Sequence, residues 1–168
     1  MVKNISIFIL LTFFLSMQSP LFASAQPLTT ESKEEVMEIA VDFKLVDSEN
    51  NTVSLSDLKG KPVILFFWTT WCPFCRKELK ALSDKLSDFQ KDKVELLPIN
   101  EGESLSKVEK FITNNGFPFR VLLDEDSAVA GSYDILGVPT YIYINKSGFI
   151  SSKGHSFSQG EYQKLTSQ

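Results

Sequence analysis

Cysteine is scarce in this chain: among 168 residues there are two, Cys72 and Cys75. Two cysteines cannot build the multi-bridge framework that staples small secreted domains. A bond spanning only Pro73 and Phe74 closes so short a loop that it constrains the unfolded chain least. Histidine is scarcer still, His155 alone. A structural zinc site wants four ligands, which two cysteines and one distant histidine do not supply, and His155 reads as a surface residue near the last strand. A softer ion needs fewer ligands, so a two-thiolate copper(I) carrier stays open. Blocks of like charge are missing as well. The 17 basic and 21 acidic residues are interspersed, with a net charge of −4, which argues against nucleic acid and anionic membrane surfaces as partners. Internal repeats and low-complexity tracts are absent, and nothing calls for a second domain.

A long uninterrupted apolar run is lacking too. In "MVKNISIFILLTFFLSMQSPLFASA", residues 1–25, the stretch from Ile5 to Leu15 is short and broken by Ser6, Thr12 and then Ser16. With Lys3 before it and Ala23-Ser24-Ala25 after it, the segment reads as an export signal peptide cleaved before Gln26. An uncleaved N-terminal anchor is the alternative, if Gln18 and Pro20 are tolerated in the apolar run. No cysteine lies near the cleavage site, which argues against a lipoprotein anchor. The mature chain would then work outside the cytoplasm, in the bacterial periplasm or on the outer face of the cytoplasmic membrane, where disulfides form and persist. Residues 26–40, polar and acidic with scattered apolar residues, read as a flexible lead or a frayed helix, and residues 41–168 suit one domain with one core.

Within that domain, "VDFKLVDSENNTVSLSDL" alternates about an Asn/Asp turn and predicts a hairpin. "KPVILFFW" is a continuous run of β-branched and aromatic residues, the pattern of a central strand buried on both faces. Then the period changes: Cys75, Leu79, Leu82, Leu86 and Phe89 fall on one stripe of a helix running to about Gln90. "VELLPIN" predicts a second buried strand. Ser104 opens a helix, with Leu105, Val108, Phe111 and Ile112 inward, that ends at Asn115-Gly116. "FRVLLD" reads as a short strand and "DSAVAGSY" as a brief helix. "TYIYIN" and "FISSKGH" form a hairpin about Lys146-Ser147-Gly148, before a short terminal helix. Strands separated by helices early and a hairpin late imply a mixed sheet with helices on both faces.

The chemistry concentrates in "FFWTTWCPFCRKEL". Cys72 lies between a strand end and a helix start, and Pro73 takes the first helical position, which makes Cys72 the N-cap. A sulfur there meets free backbone N–H groups and the positive end of the helix dipole, and both favour thiolate over thiol. Arg76, Lys77 and Lys80 add positive potential or form an ordinary solvated face. Cys75 turns toward the core stripe. An exposed, acidified Cys72 would attack a partner's disulfide, and a shielded Cys75 would resolve the mixed disulfide. Thr69 and Cys72 also form the T-x-x-C of peroxiredoxins, but that motif wants a proline where this chain has Leu65.

"WTTWCPFC", with "GVPTYIYINKSG" some sixty residues later, resembles the thioredoxin superfamily, and in particular its extracytoplasmic TlpA/ResA/DsbE(CcmG) branch. The resemblance covers roughly residues 40 to 163. It implies a thioredoxin-like α/β three-layer sandwich, a mixed central sheet with helices on both faces and an added N-terminal β-hairpin. It implies that Pro139 is a cis-proline beside the cysteines, that Val138 offers its backbone to a substrate peptide, and that Trp71 and Pro73 support the pair. Cytoplasmic thioredoxins carry a buried aspartate where this chain has Phe66, so proton handling would fall elsewhere. Glu78 and Glu103 match acidic positions of the ResA-like branch. A partly buried glutamate near sulfur would have a raised pKa and could pass the proton of Cys75. The other reading of Glu103 is a helix-start acid, and Glu101 reads as surface. The implied activity is thiol–disulfide exchange without a cofactor by a monomer, as a reductase of client protein disulfides. The resemblance names apocytochrome c as a client and a membrane thiol transporter of the DsbD/CcdA kind as electron donor. Oxidant and general periplasmic reductase are the neighbouring readings.

Overall fold

The computed structural model describes residues 38–167. The expected signal peptide and residues 26–37 of the lead lie outside the described residues. The remainder of the lead is not a free tail, because Glu38–Ile39 forms a short edge strand, β1.

The sheet is organised around β4 (Val63–Trp68), all six residues of which are buried. Alternation along the strand sends Ile64, Phe66 and Trp68 into one apolar cluster and Val63, Leu65 and Phe67 into another on the opposite face. Both faces are covered, so the sequence shows an unbroken apolar run rather than alternation. Burying each such side chain contributes about 1.5–3 kcal/mol, which makes this strand the least expendable element of the fold. It pairs in parallel with β5 (Glu95–Glu101) and antiparallel with β7 (Thr140–Ile144). Beyond β5 come β6 (Leu122–Asp124), parallel to it, and the hairpin of β2 (Lys44–Asp47) and β3 (Thr52–Ser54). Beyond β7 come β8 (Phe149–Gly154) and β1, so that the eight described strands run β1-β8-β7-β4-β5-β6-β2-β3.

This is the mixed sheet with an added hairpin implied by the resemblance, but the helical cover is unequal. Helices α1 (Pro73–Ser83), α2 (Leu86–Asp92), α3 (Leu105–Asn115) and α5 (Gln159–Thr166) contribute to the cluster containing Phe66. The opposite cluster is closed by the short α4 (Ala128–Ser132), a 3-10 turn at Leu55–Leu58 and the base of the hairpin.

The single helix expected from Cys75 to about Gln90 is two helices. The Ser83 hydroxyl donates to the Leu79 carbonyl at 2.9 Å, and the Lys85 N–H reaches back only to Leu82 at 3.0 Å. Side-chain bonding of this kind bends helices, and the shortened backbone bond marks the break. The apolar stripe survives it, because Leu79, Leu82 and Phe89 are all buried on the same cluster. In α3, Val108 alone of the expected inward residues is fully buried, while Leu105, Phe111 and Ile112 are half-buried. Gly116 ends that helix at φ +63°, the left-handed conformation for which glycine is favoured.

Asp47 locks the β2–β3 hairpin. Its buried carboxylate accepts from Glu49 N–H (2.9 Å), Asn51 N–H (2.7 Å), the Asn51 side-chain amide (3.2 Å) and Arg120 Nε (2.7 Å). Burial alone would push the carboxyl upward, but the bonds from Asn51, Arg120 and Glu49 outweigh it and hold it below the ordinary aspartate value. Asp47→Ala should cost about 2 kcal/mol, because the turn N–H groups lose their acceptor while the exposed guanidinium can return to water. A urea titration checks this, and a loss under about 0.5 kcal/mol would mean that the turn forms without the carboxylate.

Candidate active site

The cysteine pair lies where β4 ends and α1 begins. Cys72 has extended backbone angles and caps α1; its Sγ accepts from the Cys75 N–H at 3.0 Å, and Pro73 follows inside the helix. Cys72 and Cys75 are joined as a disulfide with Cα atoms 5.3 Å apart. One expectation is corrected here: Cys72 is not exposed, being 2% accessible against 0% for Cys75. The 137–139 segment covers it. The Val138–Pro139 peptide is cis, Val138 packs on the same cluster, and its carbonyl oxygen lies 3.8 Å from Cys72 Sγ. The flanking Trp71 and Phe74 are instead the exposed side chains, at 65% and 66%.

The residues preceding the pair are clamped from both sides. Thr70 donates its N–H (2.6 Å) and hydroxyl (2.7 Å) to the carboxylate of Glu103, and its carbonyl accepts from Arg76 Nε (3.2 Å) and Nη2 (2.9 Å). Arg76 therefore serves the loop carbonyl, with its guanidinium over the Phe111 ring. Glu103 also accepts from the Asn100 amide at 2.9 Å and pairs with Lys107 at 2.6 Å. The sequence suggested a glutamate with a raised pKa. Burial does push Glu103 upward, but the bonds from Lys107, Asn100 and both Thr70 donors outweigh it and hold the carboxyl below the ordinary glutamate value. Glu103 is thus an ionised tether between the start of α3 and the loop leading to Cys72.

Glu78 occupies a different position. Half-buried on α1, it accepts from the Tyr141 hydroxyl at 2.7 Å and the Phe157 N–H at 3.3 Å. Burial, and then the bond to Glu78, push the Tyr141 phenol far above its ordinary range, so it acts as a donor only. The Tyr141 ring lies 4.6 Å from that of Phe66, the residue standing where cytoplasmic thioredoxins carry an aspartate.

Several residues near the site left no local signal in the sequence. His155, exposed as expected, has Nδ1 3.0 Å from the Pro139 carbonyl and 3.2 Å from the Thr140 hydroxyl, which itself donates to Gly137 at 2.6 Å. The sole histidine thus abuts the cis-proline segment. Thr70 and Asn100, whose partner is distant or unmarked in the sequence, supply three of the donors to Glu103. Glu101 is half-buried rather than a plain surface residue and lines a groove of about 330 Å³ with Thr69, Trp71, Gly102, Leu136 and Val138. A second hollow, lined by Val63 and Ile144 among others, lies at the far end of β4 from the cysteines.

Comparison with known proteins agrees with this geometry. The chain is 40% identical over 109 residues to the thiol-disulfide oxidoreductase ResA of Bacillus subtilis, a match covering 65% of this chain and 61% of that protein. It is 36% identical over 120 residues to ResA of Geobacillus thermodenitrificans, covering 71% and 69%. The chain therefore spans about two thirds of the length of these relatives. Among solved structures, StoA from Bacillus subtilis superposes with a TM-score of 0.65 at 28% identity, covering 77% of this chain and 98% of that one. With residues 36–153 matching the AhpC/TSA family, the chain belongs to that family, as a thioredoxin-like member similar to the ResA thiol-disulfide oxidoreductases.

Proposed function

We propose that the chain is an extracytoplasmic thiol–disulfide oxidoreductase that acts as a reductase of client protein disulfides. The observation that carries this reading is Cys72 at the start of α1, its sulfur receiving the Cys75 N–H and bonded to the sulfur of Cys75. In the dithiol form, the same N–H and the helix dipole stabilise the Cys72 thiolate. That thiolate attacks one sulfur of the client disulfide, and the other client sulfur leaves as a thiolate that takes up a proton. Cys75 loses its proton and attacks Cys72 Sγ, releasing the client dithiol and regenerating the Cys72–Cys75 disulfide. The client is reduced by two electrons and the protein oxidised by two; a membrane thiol transporter of the DsbD/CcdA kind would restore the dithiol.

In this reading Val138 and Pro139 receive an extended client segment beside Cys72, and Trp71 flanks it. Pro73 keeps the first helical turn in place. Glu103 holds the approach to Cys72, whereas Glu78, one helical turn beyond Cys75, receives the proton of Cys75. The similarity to ResA and the signal-like N-terminus favour an exported location, and the family resemblance favours apocytochrome c as client. Alkylation of the reduced protein against pH tests the chemistry. Cys72 should show an inflection well below the free-thiol value of about 8.5, with Cys75 titrating higher. An inflection at or above that value would remove the helix-activated nucleophile. A stoichiometric copper(I) complex with no exchange activity would replace the reading with that of a metal carrier.

A further inference from the structure

Glu101 ends β5 beside the cysteine pair, yet its carboxylate has no hydrogen-bond or ion-pair partner among the described residues. Its parallel neighbour in register is Asp124, a fully buried residue whose carboxylate caps α4 through Val129 N–H (3.1 Å) and Ala130 N–H (2.8 Å). Two acids side by side disfavour each other. Burial, and then Asp124, accordingly push the Glu101 carboxyl above its ordinary value. The cation lining the same groove, Lys107, is already paired with Glu103 at 2.6 Å. The groove thus has Glu101 and Glu103, with Asp124 behind them, against one ammonium group.

The remaining walls are apolar side chains and bare backbone apart from the hydroxyls of Thr69 and Ser127. Leu136 and Trp71 are 99% and 65% exposed at the rim. Gly102 takes φ +68°, and a Cβ there would stand 3.1 Å from Ser127 Oγ, so a glycine keeps this wall low. A volume of about 330 Å³ suits one long side chain rather than a folded element. Val138 lines the groove and touches Cys72 Sγ, so an occupant would be attached to the segment whose disulfide is attacked.

We propose that this groove is a specificity subsite for a lysine or arginine side chain carried by the client polypeptide close to its disulfide. Glu101 is its counter-charge, and Trp71 and Leu136 hold its aliphatic stem. A long basic side chain meets both demands, because its methylenes lie along apolar surface while its head bonds a carboxylate. The inference rests on the oxidoreductase reading above and adds the class of client sequence that the site prefers.

The test uses the purified dithiol protein and short synthetic peptides, each closed by a Cys-Xaa-Xaa-Cys disulfide and carrying Lys, Ala or Glu at one flanking position. The readout is the ratio of the second-order rate constant for stoichiometric reduction of the Lys peptide to that for the Ala peptide, taken at each position. At the position that reaches the groove the parent should show a ratio of about five at low salt, falling as salt rises. Glu101→Gln should bring the ratio to about one, and Glu101→Lys should turn the preference toward the Glu peptide. Circular dichroism and thermal midpoints establish that both variants fold. A parent ratio near one at every position, with all peptides still reduced, would overturn the subsite and leave the oxidoreductase reading standing. A preference for Lys that persists in a folded Glu101→Gln would overturn the role of Glu101. Failure to reduce any peptide would overturn the oxidoreductase reading itself, and the subsite with it.

Discussion

Cys75→Ser should convert the protein into a trap: a client attacked by Cys72 stays covalently attached, because no second sulfur can displace it. Cys72→Ser should capture little, and either variant should lose turnover to the background rate. The asymmetry does not come from bulk exposure, since both cysteines are nearly buried. It comes from position. Cys72 caps α1 and receives the Cys75 N–H at 3.0 Å, whereas Cys75 lies inside the helix with its own N–H spent on that bond. Stabilisation of the thiolate at the helix start therefore favours Cys72 as the attacking sulfur, and the Val138 carbonyl 3.8 Å from its Sγ marks where a client strand would meet it. Expressed with its own N-terminus in the native host, Cys75→Ser should migrate with DTT-sensitive partners on a non-reducing gel. Recovery of c-type apocytochromes would support the proposed client, and a broad set of exported proteins would point to a general reductase or oxidant. Equal trapping by both serine variants would refute the assigned order of attack.

Glu103→Ala should be strongly damaging to both stability and turnover. It removes the acceptor of two Thr70 bonds and one Asn100 bond and strips Lys107 of its partner. Breaking a buried, hydrogen-bonded ion pair from one side costs about 3–5 kcal/mol; with Lys107 half-exposed the lower end applies, about 3 kcal/mol. Turnover should fall as well, because Thr70 anchors the residues leading into Cys72. The pH dependence gives an independent check. The folded-state pKa of Glu103 is depressed, so its contribution is fully present above the unfolded value of about 4.3 and is lost as pH falls through the folded value. The difference between parent and Glu103→Ala in urea titrations should therefore be large at pH 7 and shrink in acid. A difference that stays constant down to the acid limit of folding would mean that Glu103 contributes by shape and not by charge.

Burial is what separates the features readable in the chain from those that were not. The run "KPVILFFW" announced β4, and Cys72-Pro73 announced the start of α1, because each depends on residues adjacent in sequence. The stripe of Cys75, Leu79, Leu82 and Phe89 was readable for the same reason, but the break at Ser83 was not: the hydroxyl's bond to Leu79 is one of several a serine can make, and apolar periodicity does not register it. The motif pair around Cys72 and Pro139 carried the family, and with it the fold.

The charge states and the accessibility of the site needed the tertiary structure. Glu103 stands 33 residues from Thr70, and whether its carboxyl is raised or lowered depends on how many donors converge on it once it is buried. Glu101, two residues earlier, has the opposite outcome because β6 sets Asp124 beside it and no donor among the described residues reaches it. Cys72 is shielded by Val138, 66 residues further on, and His155 meets Pro139 across the β7–β8 hairpin. Local order in the sequence determined where the Cys72 sulfur sits on its helix. Long-range packing decided which acids surround it and what can reach it, since desolvation and hydrogen bonding, which set both, depend on distance in space rather than along the chain.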